Sequence, residues 1–467
     1  MSPDRSRPGE RGRQLAAFAA RVDWPALPAA VQSKVVDHVV DTIGTMFAGI
    51  DADACARARK AAREWGRGQD ATLVGLGDAY PAATAAFLNA LHGRSHPFDD
   101  THEPGNVHPG NSVVAAALAL AEKHAVHGAT FLSAVTAGYE VVTRVAAAVS
   151  PSHYRSGFHS TGTCTVFGAA AAASRVLDLT PAQTAEALGL AGATAAGLRQ
   201  HQLDGSMLDS AFHGARAAQS GVMVAELGTA GVGGPAGILD GPLGFCTVMA
   251  SEPNLSRLDA KLGVDYELMR TAIKPYPTAF YIHGPIETAL DLKRRHAFDA
   301  REVTGVEIAT FRQSMEVCDR PRVRTRYDAT TGHQYGVAVA LVKDKVALSS
   351  FSEAALADAD VLRLLDRIRV VHDPALETLV PRMCPHRVTI TLGDGRTFSA
   401  LSECPPGWAS PVPRHIVDAK FLEHCAAHFG AERARETLAA IRRLPDCADM
   451  RRFMSTLKTE GTGNDGR

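Results

Sequence analysis

The feature that most constrains the fold of this chain is a series of alanine-rich segments with helical periodicity in its first 270 residues. In the segment 31–47, the spacing of Val35, Val39 and Ile43 places all three side chains on one face of a helix. Thr180 followed by Pro181 predicts a helix that begins with a threonine N-cap. Because small side chains let helices approach closely, we expect a compact all-helical domain. Its other helices are predicted at 111–124, 129–149 and 162–177.

Composition and charge exclude several classes of protein. Hydrophobic residues make up 46% of the chain, enough for a large core, and the net charge of -1 does not favour a nucleic-acid partner. The eight cysteines are scattered and form no C-x-x-C pair, so we expect reduced thiols in a cytoplasmic protein. The alanine-rich runs are soon interrupted by charges such as Glu122 and Lys123, which indicates core helices and no membrane partner.

The sequence changes in character after Lys274. Short β-branched segments alternate with helical ones, and Gly393–Asp394–Gly395 between two of them predicts a β-hairpin. Several prolines between 405 and 413 then mark a boundary, after which helices resume. The predicted strands are 304–311, 367–371, 387–392 and 397–401, with helices near 281–296 and 335–342.

These boundaries predict two domains and two tails. The predicted parts are a disordered tail at 1–13, a helical domain at 14–272, an α+β domain at 273–404, helices at 405–455 that return to the helical domain, and a disordered tail at 456–467.

Three segments carry residues suited to chemistry. The first, 95–108, concentrates histidines and aspartates between two predicted helices, where helix capping and a metal site are the alternatives. No fixed ligand spacing such as H-E-x-x-H is present, so we predict no metal. In the second, His159 precedes a helix start, whose positive end favours the neutral imidazole that a base requires. A loop hydrogen bond is the alternative for His159. In the third, Lys274 lies in a proline-fixed turn and either reaches a cleft or is a solvated surface lysine.

Together these segments resemble the MmgE/PrpD family, which includes 2-methylcitrate dehydratase and cis-aconitate decarboxylase. The resemblance covers about 15–454. It implies a mainly α fold, with a large all-helical domain and a smaller α+β lid domain, in a homodimer that uses no metal or organic cofactor. It rests on the order of FDDTH, HPG, RSGFHSTGT, Gly205–Ser206, the segment from His213 to Ala218, and KPYP.

The resemblance also implies roles for individual residues in a cofactor-independent lyase. His159 transfers a proton, His108 and Thr101 position a leaving hydroxyl, and Asp99 or Asp100 orients an imidazole. Lys274 holds a substrate carboxylate. We further predict that Tyr276, Asp209, Ser210 and Arg155 take part in substrate binding.

Two positions depart from the family pattern. Decarboxylase-like members carry an acid where this chain has Pro97, and many members carry a lysine where it has Asp209 or Ser210. Neither an acid nor a hydroxyl replaces an ammonium group opposite a carboxylate. We therefore expect a small hydroxy-carboxylic acid with fewer charges than a tricarboxylate, and dehydration as the reaction. The alternatives are an isomerase or epimerase, a decarboxylase, and a non-catalytic protein that binds a metabolite.

Overall fold

A computed structural model of the chain describes residues 7–380, 382–408 and 411–459, without the side chains of 207–209. Within these ranges the chain divides into two compact units. The first unit comprises the residues up to Thr271 and those from Pro413 onward, and the second unit comprises Ala272–Val412. The second unit therefore begins at 272 and ends at 412, where the sequence predicts 273 and 404.

The first unit is built almost entirely of helices, which confirms the predicted mainly α fold. Three very short strands occur in its first part, β1 (Ala71–Thr72), β2 (Ala79–Tyr80) and β3 (Thr101–His102), and β4 (Thr271–Ala272) lies at the unit boundary. The helices of this part are α1 (Glu10–Arg21), α2 (Ala29–Ala48), α3 (Asp53–Ala62), α4 (Ala82–Arg94), α5 (Gly110–Lys123), α6 (Gly128–Val149), α7 (Ser152–Arg155), α8 (Ser160–Val176), α9 (Pro181–Gly192), α10 (Gln200–Asp204), α11 (Met207–Thr229) and α12 (Phe245–Met249).

Alanine and glycine explain why these helices pack so closely. Helices α5, α6 and α8 are buried over nearly their whole length. An apolar stripe on one face would leave polar side chains of the other faces in the core, so these helices need small or apolar residues on most faces. Thr180 caps α9 as predicted, and its side chain forms a capping box with Gln183. Helix α6 has the length and apolar composition of a membrane span, but its apolar window is wholly buried inside the protein, which is the condition of a core helix.

The second unit contains a mixed four-stranded sheet with helices around it, as the sequence predicts. Its strand order is β6-β5-β7-β8, with β5 parallel to β6 and antiparallel to β7. The predicted hairpin joins β7 to β8. The strands are β5 (Val303–Thr310), β6 (Ile368–His372), β7 (His386–Leu392) and β8 (Thr397–Ser402). The helices are α13 (His283–His296), α14 (Arg312–Cys318), α15 (Arg326–Thr331), α16 (His333–Lys343), α17 (Glu353–Leu356), α18 (Ala359–Leu365) and α19 (Pro374–Glu377).

Side-chain alternation places one face of this sheet in the core. Along β7, Val388, Ile390 and Leu392 are buried, whereas the residues between them are more exposed. These side chains belong to one apolar cluster with residues of α13 and α16, including Ile286 and Tyr335. The second unit therefore has its own hydrophobic core.

The last helices return to the first unit, where α20 (Arg414–Phe429), α21 (Ala431–Arg442) and α22 (Met450–Thr456) pack. Both predicted tails are too long. Helix α1 already begins at Glu10, because the amide groups of Arg11 and Gly12 donate to the Asp240 carboxylate. At the other end, the Thr459 hydroxyl donates to the Leu76 carbonyl, so residues 456–459 are held against the unit.

Candidate active site

His159 lies at the start of helix α8, where it is the N-cap residue, and its side chain is buried. Its amide N–H donates to the Gly197 carbonyl oxygen over 3.0 Å. Gly162 permits this approach, since a Cβ atom there would lie 2.6 Å from the carbonyl oxygen of Ala196. The sequence thus places the imidazole at a helix N-terminus and holds the neighbouring loop against it.

Two further histidines lie beside His159. The Nδ1 atom of His213, on α11, is 2.8 Å from the Nδ1 atom of His159. His201, on α10, has its ring centroid 4.8 Å from that of His159, and its Nδ1–H donates to the Leu198 carbonyl oxygen over 3.0 Å. The cluster therefore combines one imidazole pair with a third ring whose tautomer is fixed by the backbone.

The surroundings of His159 keep its imidazole neutral. Burial lowers the pKa of His159 well below its usual value, and the positive charge of Arg94 lowers it further. The histidines at 201, 213 and 108 act in the same direction. A neutral imidazole at pH 7 has a nitrogen lone pair that can accept a proton.

Arg94, at the end of α4, links His159's surroundings to the loop 95–109. Its guanidinium forms a buried ion pair with Asp99 through Nη1. Its Nη2 donates to the Ser210 hydroxyl over 2.8 Å, and its Nε to the Ser210 carbonyl over 3.1 Å. Asn111 also donates to the Asp99 carboxylate. These contacts hold a positive charge in the interior beside the histidine cluster.

Asp100 is the centre of a hydrogen-bond network under the same loop. Its carboxylate accepts from the Tyr139 hydroxyl over 2.6 Å and from the Gly110 amide, and it pairs with Nδ1 of His38 at 2.7 Å. Burial alone would raise the pKa of Asp100, but these hydrogen bonds outweigh it and the pKa is lowered. Asp100 is therefore an ionised anchor for the loop.

The Asp100 backbone also orients His108. The Nδ1–H of His108 donates to the Asp100 carbonyl oxygen over 2.7 Å, so Nε2 is the acceptor nitrogen of the neutral ring. Its backbone amide donates to the Thr161 hydroxyl over 3.2 Å, which joins it to the first turn of α8. A carboxylate oxygen of Asp99 lies 3.8 Å from the same Nδ1 and can stabilise an imidazolium at this position.

A second buried ion pair supports the loop from helix α20. The Lys420 ammonium lies 2.6 Å from the Asp41 carboxylate and donates to the Phe98 carbonyl oxygen over 2.7 Å. Burial lowers the pKa of Lys420 and raises that of Asp41, while each charge favours the other. The returning helix therefore holds the backbone immediately before Asp99.

The first unit brings six of the predicted site residues into this region. Of the remainder, Arg155 is exposed at the end of α7, and the side chain of Asp209 lies outside the described residues. Lys274 and Tyr276 belong to the second unit. There Lys274 is buried, and the Tyr276 hydroxyl donates to Glu287 over 2.6 Å. The six residues are Thr101, Asp99, Asp100, His108, His159 and Ser210.

Several members of the site could not be predicted from the sequence. No sequence spacing relates His159, His201 and His213, because three separate elements supply them. Their ring nitrogens lie within 4.8 Å of one another and could together hold a metal ion. The absence of metal remains a prediction, because the fold assembles a ligand set that the linear pattern does not show. The other missed residues are Arg94, His38 and Tyr139.

Comparison with known proteins gives matches along most of the chain. The MmgE/PrpD N-terminal domain matches residues 13–258, and the MmgE/PrpD C-terminal domain matches residues 276–446. The cis-aconitate decarboxylase-like protein oryM of Aspergillus oryzae is 26% identical over 460 residues, which cover 93% of this chain and 94% of that protein. Cis-aconitate decarboxylase of Homo sapiens is 24% identical over 90% of this chain and 89% of its own length. The 2-methylcitrate dehydratase of Cupriavidus necator is 26% identical over 35% of this chain and 36% of its own.

Proposed function

The chain belongs to the MmgE/PrpD family, whose enzymes act on small carboxylic acids, and from this membership we propose that it is a metal-independent dehydratase. The substrate is a small hydroxy-carboxylic acid. The reaction removes a proton from the carbon next to a carboxylate and then expels the hydroxyl group as water. The family matches confirm the resemblance found in the sequence, and the choice of dehydration is our proposal.

The buried position of the His159 imidazole at the start of α8 is the observation that carries this proposal. A general base must be unprotonated when substrate binds, and burial together with Arg94 keeps His159 in that state. The guanidinium of Arg94 also stabilises the negative charge that develops on the substrate when the proton leaves. Proton transfer by a positioned side chain typically contributes about 10² to 10⁴ in rate.

His108 supports the second half of the reaction. It lies beside the Asp99 carboxylate and donates from Nδ1 to the Asp100 carbonyl, so the unprotonated Nε2 of the neutral ring can accept a hydrogen bond from the hydroxyl group of the substrate. That hydrogen bond positions the hydroxyl group for its departure. Thr101, in the same buried loop, offers a second hydroxyl contact for this group.

Arg94 supports an anionic substrate. Its hydrogen bonds to the described residues use Nε and one N–H of each terminal nitrogen, and the second N–H of each terminal nitrogen makes no hydrogen bond to them. Ser210, which Arg94 contacts, is one of the two positions where many family members carry a lysine. In our proposal the guanidinium supplies the cation that faces a substrate carboxylate.

Decarboxylation is a second candidate, because the relatives that share about nine-tenths of the chain include cis-aconitate decarboxylases. Loss of carbon dioxide would use the same carboxylate-binding groups and the same proton donors. Pro97 disfavours it, since decarboxylase-like members have an acid at that position.

The test is incubation of the purified protein in D2O with cis-aconitate, 2-methylcitrate and a panel of smaller hydroxy-carboxylates, followed by proton NMR. We expect loss of water from a hydroxy-acid, and the same spectra report loss of carbon dioxide or solvent deuterium entering an epimerised product. A protein that is folded and inert towards the whole panel would contradict the proposal and favour a metabolite-binding role.

Two variants make this test specific for the site. His159→Ala should abolish turnover, whereas His415→Gln, which changes an exposed histidine on α20, should retain it. Equal activity of both variants would show that the proton is removed elsewhere.

A further inference from the structure

One contact within the histidine cluster joins two like atoms. The Nδ1 atoms of His159 and His213 are 2.8 Å apart, and their ring centroids are 5.1 Å apart. A hydrogen bond between two such nitrogens requires that one be protonated and the other not. The two rings therefore hold complementary tautomers, and the direction of this bond determines which nitrogen of His159 has the lone pair.

We propose that His213 is a positioning residue, which accepts the Nδ1–H of His159 and takes up its positive charge during the reaction. This inference rests on the proposed function, because a base that acts through Nε2 of His159 must carry its own proton on Nδ1. The acceptor at 2.8 Å is Nδ1 of His213, so its proton resides on Nε2.

The two rings differ in their access to solvent, which gives the pair a direction. His159 is buried, with 4% of its surface exposed, whereas His213 is only partly buried. An imidazolium at His159 would lie in the environment that already disfavours its charge, next to Arg94. Moving a proton along the hydrogen bond transfers the charge to the better solvated ring.

The proton balance closes over one cycle. The substrate C–H bond breaks as Nε2–H of His159 forms, and the electron pair stays on the substrate as an enolate. The Nδ1 proton of His159 then passes to Nδ1 of His213, which leaves His159 neutral with its proton on Nε2. When Nε2–H is given to the leaving hydroxyl, water forms and the Nδ1 proton returns. Both rings are then in their starting tautomers.

The fold holds His213 in place for this role. One turn later on α11, Arg216 donates to the Ala196 carbonyl oxygen over 2.8 Å, which ties the helix to the loop before His201. Gly214 lets α11 approach α5, because a Cβ atom there would lie 2.8 Å from the side-chain oxygen of Asn111. The contacts of Gly214 and Arg216 therefore fix the position of the segment of α11 that carries His213.

A metal ion bound by the three histidines is the competing explanation of the cluster. Two nitrogen ligands of one tetrahedral zinc ion, each at about 2.0–2.1 Å, lie roughly 3.3 Å apart. The separation of 2.8 Å is that of a hydrogen bond, and the guanidinium of Arg94 disfavours another cation nearby. The geometry therefore favours proton sharing, and metal binding becomes an outcome of the test.

The test compares His213→Asn with His213→Leu, using the substrate found in the D2O screen. Asparagine keeps an acceptor near Nδ1 but cannot take up the proton, whereas leucine keeps bulk and removes the acceptor. We expect kcat to fall about tenfold or more in His213→Asn and further in His213→Leu, with KM changed less than threefold. Circular dichroism and elemental analysis of each protein accompany the kinetics.

A second readout reports the tautomer directly and does not depend on the leucine variant folding. In protein labelled with ¹⁵N-histidine, the two signals lost in His159→Gln identify the ring. We expect them to show a protonated Nδ1 and an unprotonated Nε2 in the wild type. The opposite tautomer in the wild type would overturn the proposal.

The remaining outcomes separate this proposal from the one it rests on. A folded His213→Leu variant with kcat within threefold of wild type, while His159→Ala is inactive, refutes the role of His213 alone. An active His159→Ala variant refutes the proposed function itself. Stoichiometric zinc that is lost in both His213 variants, with activity abolished by a chelator, assigns the cluster to a metal and overturns the inference.

Discussion

His92 gives a prediction about stability that depends only on the first unit. It lies on α4 and is fully buried, and its Nε2 accepts a hydrogen bond from Nη1 of Arg59 on α3 over 3.0 Å. Burial lowers the pKa of His92 to about 3, and the charge of Arg59 contributes to this. A proton on Nε2 would both break the hydrogen bond and repel the guanidinium, so the folded protein holds this ring neutral.

The sign of the pH effect follows from proton binding. In the unfolded chain the pKa of a histidine is about 6.5, so between pH 6.5 and pH 3 the unfolded state binds a proton that the folded state does not. The free energy of unfolding therefore falls as the pH falls below 6.5. With these pKa values, His92 alone removes about 2 kcal/mol of stability between neutral pH and pH 5.

Replacing His92 by glutamine isolates this contribution. The Gln side chain offers Arg59 an acceptor oxygen and does not titrate. The assay is urea unfolding followed by the helical circular dichroism signal at pH 7 and pH 5. We expect the wild type to lose about 2 kcal/mol more than His92→Gln over this interval. His415→Gln, at an exposed position, is the matched control and should show the wild-type pH dependence.

Equal pH dependence in His92→Gln and wild type would refute this reasoning, because it would mean that His92 is protonated in the folded protein or that its burial is not maintained. A variant that is already destabilised at pH 7 would show that glutamine packs poorly, and a loss between pH 7 and pH 5 smaller than that of the wild type would still report the titration.

The other predictions concern the site, the returning helix and the assembly. His159→Ala should cost about 3 to 5 kcal/mol of activation free energy with the circular dichroism spectrum unchanged, and a folded variant that keeps more than about a tenth of wild-type kcat would make His108 the next candidate base. Lys274→Ala should mainly raise KM in steady-state kinetics, since a carboxylate is charged in both ground and transition states, and a loss confined to kcat would contradict this. Lys420→Met should cost about 3 to 5 kcal/mol in urea unfolding because it leaves Asp41 buried without its partner, and adding Asp41→Asn should restore much of the loss. We expect light scattering to report a homodimer of about twice 49.4 kDa, formed through apolar side chains exposed on α11, whereas a monomer throughout would exclude it. Those side chains are Phe212, Met223 and Leu227.

Local patterns account for what the sequence predicted well. The alternation along 387–392 and the glycines of the following turn specify a hairpin within a few residues, and β7 and β8 form it. The alanine-rich periodicity likewise specifies helices, and α5, α6 and α8 begin within two residues of their predicted starts. His159 was identified because a helix start beside a histidine is also a local pattern.

Long-range contacts account for what the sequence could not predict. The tail before residue 14 contains helical residues because Asp240, more than 200 positions away, accepts from two of its amides. His213 pairs with His159 across 54 positions, and Arg94 contacts Ser210 across 116. No spacing within one segment reports such contacts, so the sequence does not predict that Arg94, His201 and His213 belong to the site.

The return of the chain to its first unit has a consequence for synthesis on the ribosome. Lys420, whose ammonium holds Asp41 and the Phe98 carbonyl, is made 149 residues after Thr271, where the first part of that unit ends (420 − 271). At a synthesis rate of about 5 to 20 residues per second, roughly 7 to 30 seconds pass between the synthesis of Thr271 and that of Lys420. During this time Asp41 lacks its ammonium partner. The second unit, whose sequence is continuous, can fold during that interval. Nascent chains stalled before residue 413 should therefore be cut by protease in the helical region first, although that region emerges first.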